Sequence, residues 1–250
     1  MSDDLDTLAR MLDQARSAVV FTGAGISTES GIPDFRSPGG LWTKMKPIQF
    51  QDFVASEDVR QESWRRRFDG ERTLETAKPN KGHRAVAELV RRGTVAAIIT
   101  QNIDNLHQVS GIAEDRIIEL HGNAHYATCL DCGTRYELED LERQFREDGA
   151  VAPCARCGGI VKTATISFGQ SMPEAETARA EIATREADLF LVLGSSLTVY
   201  PAAAFPEYAA RSGTPLVIVN REETGLDPLA TLVLHEGIGD TLALAVGLNE

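Results

Sequence analysis

Continuous runs of apolar residues recur along the sequence and constrain its fold more than any other feature. They are AVVFT (18–22), GTVAAIIT (93–100), RIIEL (116–120), ADLFLVLG (187–194), TPLVIVN (214–220) and ATLVLH (230–235). Short apolar runs without alternation are typical of strands that helices cover on both faces. Helical segments such as KGHRAVAELVRR and PEAETARAEIATR fall between them. The alternation predicts an α/β fold built on an open parallel sheet with right-handed crossovers.

Two stretches do not follow this rhythm and predict a small module set outside the sheet. Residues 37–81 are polar and mixed, with aromatic residues but no clear strand, and residues 125–163 hold all the cysteines and an acidic helix, ELEDLERQFRED. The remaining segments, 1–36, 82–124 and 164–250, form the predicted sheet domain. A chain of 250 residues has room for one large domain with such an insertion.

The charge of the chain argues against nucleic acid as a partner. The formal net charge is -12, whereas a phosphate-binding surface needs an excess of lysine and arginine. The N-terminus MSDDLDTLARML carries acids where a signal peptide would carry basic residues. No apolar stretch approaches the ~18 residues of a membrane span. We therefore expect a cytoplasmic protein with no membrane partner.

The four cysteines form two C-x-x-C pairs, CLDC and CARC. Cys129 and Cys132 make the first pair, and Cys154 and Cys157 make the second. Four thiolates at this spacing suit a tetrahedral zinc ion, and four protein ligands leave no open position for catalysis. The pattern predicts one structural zinc ion; redox thiols and an iron–sulfur centre are the alternatives.

A possible nucleotide-binding turn follows the first strand. Gly23, Ala24 and Gly25 allow a tight turn, and Ile26–Ser30 can begin a helix whose free N–H groups would face a pyrophosphate. An ordinary strand–helix turn is the alternative. Further on, GIPDFR places Asp34, Phe35 and Arg36 side by side, which suits a mobile cover over a ligand. The alternative there is a loop clasp between Asp34 and Arg36.

Polar residues also follow the other predicted strands. Gln101, Asn102 and Asp104 come after the second strand without an obvious local partner, although Asn102 can also be a helix N-cap. ELHGN brings His121 to a third strand end, where an imidazole is suited to proton transfer near neutrality. LGSSL and VIVNRE add small hydroxyl groups and an asparagine at two more ends. Because open parallel sheets bind ligands at this edge, we expect a site there.

Taken in order, GAGIS, GIPDFR, TQNID, HGN, the two C-x-x-C pairs, GSSL and VIVN make the chain resemble the sirtuins, NAD-dependent protein lysine deacylases. The resemblance covers nearly the whole sequence. It implies a Rossmann-like domain, a small domain with a zinc module and a helical module, and a cleft that takes NAD and acyl-lysine. It also implies that NAD is a co-substrate and that acyl-lysine proteins or peptides are the partners.

The resemblance assigns roles to residues of this sequence. His121 is the implied general base, with Asn102 as a second catalytic residue beside the ribose. Ile103 and Asp104 would hold the nicotinamide amide, and the loop from Arg36 toward Gln49 would order over bound NAD. The implied NAD site comprises Gly23, Ala24, Gly25, Thr28, Asp34, Phe35, Arg36, Gln101, Asn102, Ile103, Asp104, Gly194, Ser195, Ser196, Asn220 and Arg221.

The implied reaction transfers the acyl group from lysine to ADP-ribose and releases nicotinamide and O-acyl-ADP-ribose. The peptide would add as a strand to Ile166, Phe168 and Gly169. This segment reads TATISFGQ, where the family commonly has Pro-x-Val-Val-x-Phe-Gly-Glu. Residues 37–81 contain no tyrosine for the Tyr-x-x-Arg pair that holds acidic acyl groups, so neutral acyl groups are expected. ADP-ribosyl transfer, NAD hydrolysis and a non-catalytic NAD or ADP-ribose sensor are the alternatives.

Overall fold

The apolar runs form one parallel sheet, and a second sheet is built from the cysteine region. A computed structural model describes residues 3–34, 46–70 and 73–248. Its strands are β1 (Ala18–Thr22), β2 (Val95–Thr100), β3 (Ile117–Glu119), β4 (Gly122–Cys129), β5 (Arg135–Glu137), β6 (Val161–Thr165), β7 (Leu189–Leu193), β8 (Leu216–Val219) and β9 (Leu232–Leu234).

The large sheet has six strands in the order β3-β2-β1-β7-β8-β9. Every neighbouring pair is parallel, so all six carboxyl ends lie at one edge. Strands β2 and β3 follow β1 outward on one side, and β7, β8 and β9 follow one another outward on the other side. The boundary between β1 and β7 is therefore the switch point at which open α/β sheets bind ligands.

Helices cover both faces of this sheet, as predicted. The helices are α1 (Asp3–Gln14), α2 (Phe50–Ala55), α3 (Glu57–Asp69), α4 (Thr73–Thr76), α5 (Lys81–Arg91), α6 (Leu106–Val109), α7 (Leu138–Asp148), α8 (Glu174–Glu186), α9 (Ala204–Arg211) and α10 (Ile238–Val246). Over the residues described, none is both long enough and apolar enough to cross a membrane.

Alternate residues of each strand enter two separate cores. Val20 and Leu191 pack with residues of α1, α5 and α10 on one face. Phe21 and Phe190 pack with residues of α8 and α9 on the other, their ring centroids 6.2 Å apart. Burial on both faces explains why these strands are continuously apolar in sequence. The predicted α/β fold class is confirmed.

The second sheet is antiparallel, in the order β5-β4-β6. Its core contains Cys129 and Cys154 and also Trp64 and Phe68 from α3, whose rings stack at 5.4 Å between centroids. The segments 37–81 and 125–163 thus contribute side chains to one apolar cluster. Strands β4 and β6 each run past the predicted domain boundaries near residues 124 and 164.

Two glycine turns meet at the switch point between β1 and β7. A Cβ atom on Gly25 would lie 2.6 Å from the Cα of Gly194, and one on Gly23 would lie 2.6 Å from the carbonyl oxygen of Gly194. Gly194 itself has φ +64°, a conformation that favours glycine. The Gly25 N–H donates to the Gly194 carbonyl at 2.9 Å. These glycines therefore allow two turns of the chain to touch.

Candidate functional site

The carboxyl edge of the large sheet brings together the polar residues that follow its strands. Gln101, after β2, donates its backbone N–H to the Thr22 carbonyl at 3.0 Å. Its side-chain Nε2 reaches across the β1 turn and donates to Ser195 Oγ, after β7, at 2.8 Å. The predicted meeting of strand ends is present, and the ends are bonded to one another.

Asn102 and Asp104 belong to a buried hydrogen-bond network. Asn102 Nδ2 donates to the Gly23 carbonyl at 3.0 Å and to Ser27 Oγ at 3.3 Å. Asp104 accepts from Ser27 Oγ at 2.6 Å and from the Leu106 N–H at 3.0 Å. Both side chains, predicted to lack an obvious partner, thus have partners within the chain. Asn102 is not an N-cap, because α6 begins at Leu106 and its cap is Asn105.

Ser27 is a site residue that the sequence analysis missed. It is 0% exposed and joins Asn102 to Asp104 through its hydroxyl. It lies in GAGIS, which was analysed for its glycines, and a serine there has no signal that separates it from a turn residue. A hydroxyl buried this deeply needs hydrogen-bond partners, and two polar residues 75 or more positions away supply them.

His121 lies between the two sheets, and one of its ring nitrogens is hydrogen-bonded to the backbone. Its Nδ1 is 3.1 Å from the Gln101 carbonyl, and because a carbonyl can only accept, Nδ1 carries the proton in this bond. The other nitrogen, Nε2, is then the basic one in the neutral ring. Burial lowers the pKa of His121, and the bond to Gln101 partly opposes that shift. The imidazole is therefore neutral at neutral pH.

The other residues predicted at this edge differ in their burial and in their hydrogen bonds to the rest of the chain. Thr28 Oγ1 donates to the Gly25 carbonyl at 3.0 Å, and Ser196 Oγ is 3.0 Å from Thr198 Oγ1 on the surface. Asn220 is buried and donates to the Glu222 carbonyl at 2.7 Å, whereas Arg221 is exposed. Ala24 and Ile103 are half-buried.

The turn after β1 differs from the predicted anion cradle. Residues Ala24–Ser30 form a 3₁₀ helix. The N–H groups of Gly25 and Ile26 donate to the carbonyls of Gly194 and Gly23. The Ile26 N–H, predicted to be free, is therefore bonded within its own turn, and the Gly25 N–H is bonded to the β7 turn. Whether the other N–H groups up to Ser30 face a pyrophosphate stays a prediction. Asp34 is described and half-buried; Phe35 and Arg36 lie outside the described residues, and so does the proposed Asp34–Arg36 clasp.

The four cysteines form a compact cluster. Their sulfur atoms all lie within 4.8 Å of one another. Cys129 and Cys157 are 3.5 Å apart at sulfur, and Cys132 and Cys154 are 3.6 Å apart. Tetrahedral zinc with bonds of about 2.3 Å spaces its sulfurs by slightly less than 4 Å, so the donor set fits a metal ion. Tyr136 donates to Cys154 Sγ at 3.0 Å and lowers the pKa of that thiol to about 6.

The predicted peptide segment follows β6 and contacts His121. The Ile166 N–H donates to the His121 carbonyl at 2.8 Å, and the Phe168 carbonyl accepts from the Phe50 N–H at 2.9 Å. Gly169 is exposed and has φ +82°. The segment is thus anchored on one side to the base candidate and on the other to α2.

The chain is similar to known proteins of one family. A model of the Sir2 family matches residues 23–201. An NAD-dependent protein deacetylase 1 from Bradyrhizobium diazoefficiens is 56% identical over 243 residues, which are 97% of this chain and 95% of the relative. An NAD-dependent protein deacetylase from Rhodopseudomonas palustris is 54% identical over 247 residues, 99% of this chain and 98% of the relative.

Solved structures of Sir2 enzymes are also similar to this chain. One from a study of the mechanism and regulation of Sir2 enzymes has a TM-score of 0.86 at 38% identity and covers 99% of this chain and 98% of its own. Another, of a Sir2 variant with deacetylated p53 peptide and 3'-O-acetyl ADP-ribose, has a TM-score of 0.87 at 36% identity and covers 98% of both chains.

Replacing Ser27 tests the buried network. Ser27→Ala removes a donor from the Asp104 carboxylate and an acceptor from Asn102, so we expect a loss of about 1–3 kcal/mol in the free energy of unfolding. Urea denaturation measures it. Ser212→Ala, at an exposed serine, is the matched control, with an expected change within about 0.5 kcal/mol. Equal stability of the two variants would contradict the network.

Proposed function

Because the chain belongs to the Sir2 family and is an NAD-dependent protein deacetylase, we propose that NAD binds along the carboxyl edge of the large sheet and that His121 is the general base. The observation that carries this proposal is the set of polar strand ends that meet beside His121. Gln101 and Ser195 are already joined across the switch point there. The proposed NAD site comprises the residues from Gly23 to Arg221 that the resemblance to the sirtuins implies.

The buried network suits the ribose and nicotinamide end of NAD. The side-chain nitrogen of Asn102 already donates to Gly23 and Ser27. Its oxygen Oδ1 is therefore the group that can accept a hydrogen bond from a ribose hydroxyl. Asp104, held by Ser27 and the Leu106 N–H, presents a fixed carboxylate beside Ile103 for an amide donor. Phe35 and Arg36 would cover the bound dinucleotide.

His121 performs the proton transfer in this proposal. When bound, NAD supplies a ribose carbon that parts from nicotinamide and a ribose hydroxyl that takes the acyl group. His121 accepts the hydroxyl proton at Nε2, because its Nδ1–H is engaged with the Gln101 carbonyl. The Gln101 bond also fixes the ring orientation. Burial keeps the imidazole neutral, so the base is ready without prior deprotonation.

The cysteine cluster is proposed to hold one structural zinc ion. Cys129, Cys132, Cys154 and Cys157 are the ligands, and the sulfur separations fit this metal. Two of the ligands, Cys129 and Cys154, also belong to the apolar core of the small sheet. The ion would therefore fix that core and take no part in the reaction.

The substrates are proposed to be acyl-lysine proteins that pair with Ile166, Phe168 and Gly169. The bonds of Ile166 and Phe168 to the chain hold this segment in place, and an extended peptide would add as a strand to the backbone groups that these bonds leave unused. A cytoplasmic location and the absence of nucleic-acid and membrane partners remain part of the proposal. The net charge of -12 supports the absence of a nucleic-acid partner.

The pH dependence of the reaction tests His121. A base must be neutral, so kcat/KM should fall as the pH drops through the pKa of His121. Burial lowers that pKa from 6.5, and the midpoint of the acid limb is expected below this value. His121→Ala should lower turnover of an acetyl-lysine peptide ~10²- to 10⁴-fold, with NAD binding retained by calorimetry. Full activity of the variant would remove His121 from the role.

Metal removal tests the zinc proposal. Elemental analysis should find one zinc per chain, and chelation or Cys129→Ser should unfold the small sheet, because metal-binding energy here is folding energy. Trp64, buried beside the cysteines, reports this by fluorescence in a Trp42→Phe background. Restored zinc should restore the signal in the chelated protein but not in Cys129→Ser. A metal-free protein with an unchanged melting curve would refute the proposal.

Acyl scope tests the substrate proposal. Peptides that differ only in the lysine modification, from acetyl through long acyl to succinyl, should show turnover of the neutral groups and little turnover of succinyl. Mass spectrometry should find one O-acyl-ADP-ribose and one nicotinamide for each deacylated peptide. Free ADP-ribose without an acyl substrate would instead support NAD hydrolysis, and preferred succinyl removal would contradict the expected neutral pocket.

A further inference from the structure

Two buried histidines outside the proposed NAD contacts lie side by side behind the site. His83, at the start of α5, is 0% exposed, and His107, in α6, is 2% exposed. Their ring centroids are 5.2 Å apart. Each ring has one buried nitrogen without a hydrogen-bond partner among the described residues, Nε2 in His83 and Nδ1 in His107. Buried polar atoms are rarely left unpaired, so these two require an explanation.

The partner of His83 fixes its tautomer. His83 Nδ1 is 3.4 Å from the backbone nitrogen of Asn80, which can only donate. Nδ1 is therefore the acceptor. Burial, His107 and Arg84 lower the pKa of His83 to about 3, so the ring is neutral and carries its proton on Nε2. The unpaired nitrogen of His83 is thus an N–H donor.

The partner of His107 favours the complementary arrangement. His107 Nε2 is 3.1 Å from Thr22 Oγ1, and Thr22 Oγ1 donates to Thr100 Oγ1 at 2.8 Å. Because the Thr22 hydroxyl donates its one proton to Thr100, it must accept a hydrogen bond from His107 Nε2–H. Burial outweighs the attraction of Asp104 and lowers the pKa of His107 to about 4. The neutral ring then leaves Nδ1 as an acceptor, which matches the donor on His83.

This series of bonds ends at the proposed catalytic Asn102. Thr100 Oγ1 also accepts from the Asn102 backbone N–H at 3.0 Å. At the other end, Asn80 Nδ2 donates to the Ile26 carbonyl at 2.7 Å and to Ser30 Oγ at 3.0 Å. The two histidines therefore lie between the 3₁₀ helix after β1 and the end of β2, the two segments that carry the Ser27, Asn102 and Asp104 network.

We propose that His83 and His107 are positioning residues that act as one unit: one water molecule links His83 Nε2–H to His107 Nδ1, and His107 Nε2–H fixes Thr22 and Thr100 so that Asn102 is held in place for the reaction. The positioning role rests on the proposed function of Asn102. The tautomeric pairing does not, and the experiments treat the two separately.

Long-range ¹H–¹⁵N correlation spectra of the uniformly labelled full chain, without NAD, test the pairing. Each histidine is assigned by comparison with its single His→Gln variant. Both rings should be neutral Nε2–H tautomers from about pH 5 to 8, because both pKa values lie below the ordinary histidine range. A His107 ring with its proton on Nδ1, or one that titrates near the ordinary value, would overturn the pairing whether or not the protein is active.

Turnover of an acetyl-lysine peptide tests the positioning. His107→Gln keeps an N–H near the Nε2 position, whereas His107→Leu keeps volume without a donor. We expect His107→Leu to lower kcat about tenfold to a hundredfold and His107→Gln to recover most of it, as for displaced catalytic groups. Leu216→Ala, at the start of β8 in the core on the other face of the sheet, controls for lost stability and should leave kcat unchanged below its melting temperature.

A double-mutant cycle decides whether the effect passes through Thr22. If it does, Thr22→Val and His107→Leu together should lower kcat no more than the worse single variant. Three results would each overturn the positioning role: effects of Thr22→Val and His107→Leu that multiply, equal losses in His107→Gln and His107→Leu, or a matching loss in Leu216→Ala. An inactive wild-type chain would count against the proposed function instead, and the tautomer spectra would still test the pairing.

Discussion

The contact between the β1 and β7 turns is the constraint on which the rest of the site depends. Gly25 and Gly194 touch without side chains, so the two central strands end at the same level. Gly23, in the same turn, offers its carbonyl to Asn102. Ser195, after Gly194, offers its hydroxyl to Gln101. The end of β2 is thus bonded to both turns. The contact between the glycines therefore fixes the positions of Gln101 and Asn102.

The net charge of the chain bears on how the proposed NAD site holds its ligand. The chain carries a net charge of -12, and the phosphates of the proposed dinucleotide are negative, so long-range repulsion opposes binding. Local hydrogen bonds have to overcome that repulsion. Asp104 is 5% exposed, and the two hydrogen bonds from Ser27 and the Leu106 N–H stabilise its carboxylate at the proposed nicotinamide end of the site.

The sequence was sufficient for those features that rest on local pattern. The strands around Phe21 and Phe190 were predictable because burial on both faces requires uninterrupted apolar residues, and parallel pairing then placed Gln101 and His121 at one edge. Ser27 was not predictable, because its partners are distant in sequence. The reason for the glycines was also hidden, since a turn that contacts another turn and a turn that contacts phosphate use the same residues.

His121 links the two sheets as well as supplying a proposed base. Its ring donates to the Gln101 carbonyl at the end of β2, while its own carbonyl accepts from Ile166 at the end of β6. The cysteine core includes Val161, at the start of that same strand β6. A displacement of the small sheet would therefore reach the His121 backbone through five residues of strand. The orientation of the His121 imidazole therefore depends on the relative position of the two sheets. Through this connection, the cysteine core can affect the proposed base without contacting the reacting atoms.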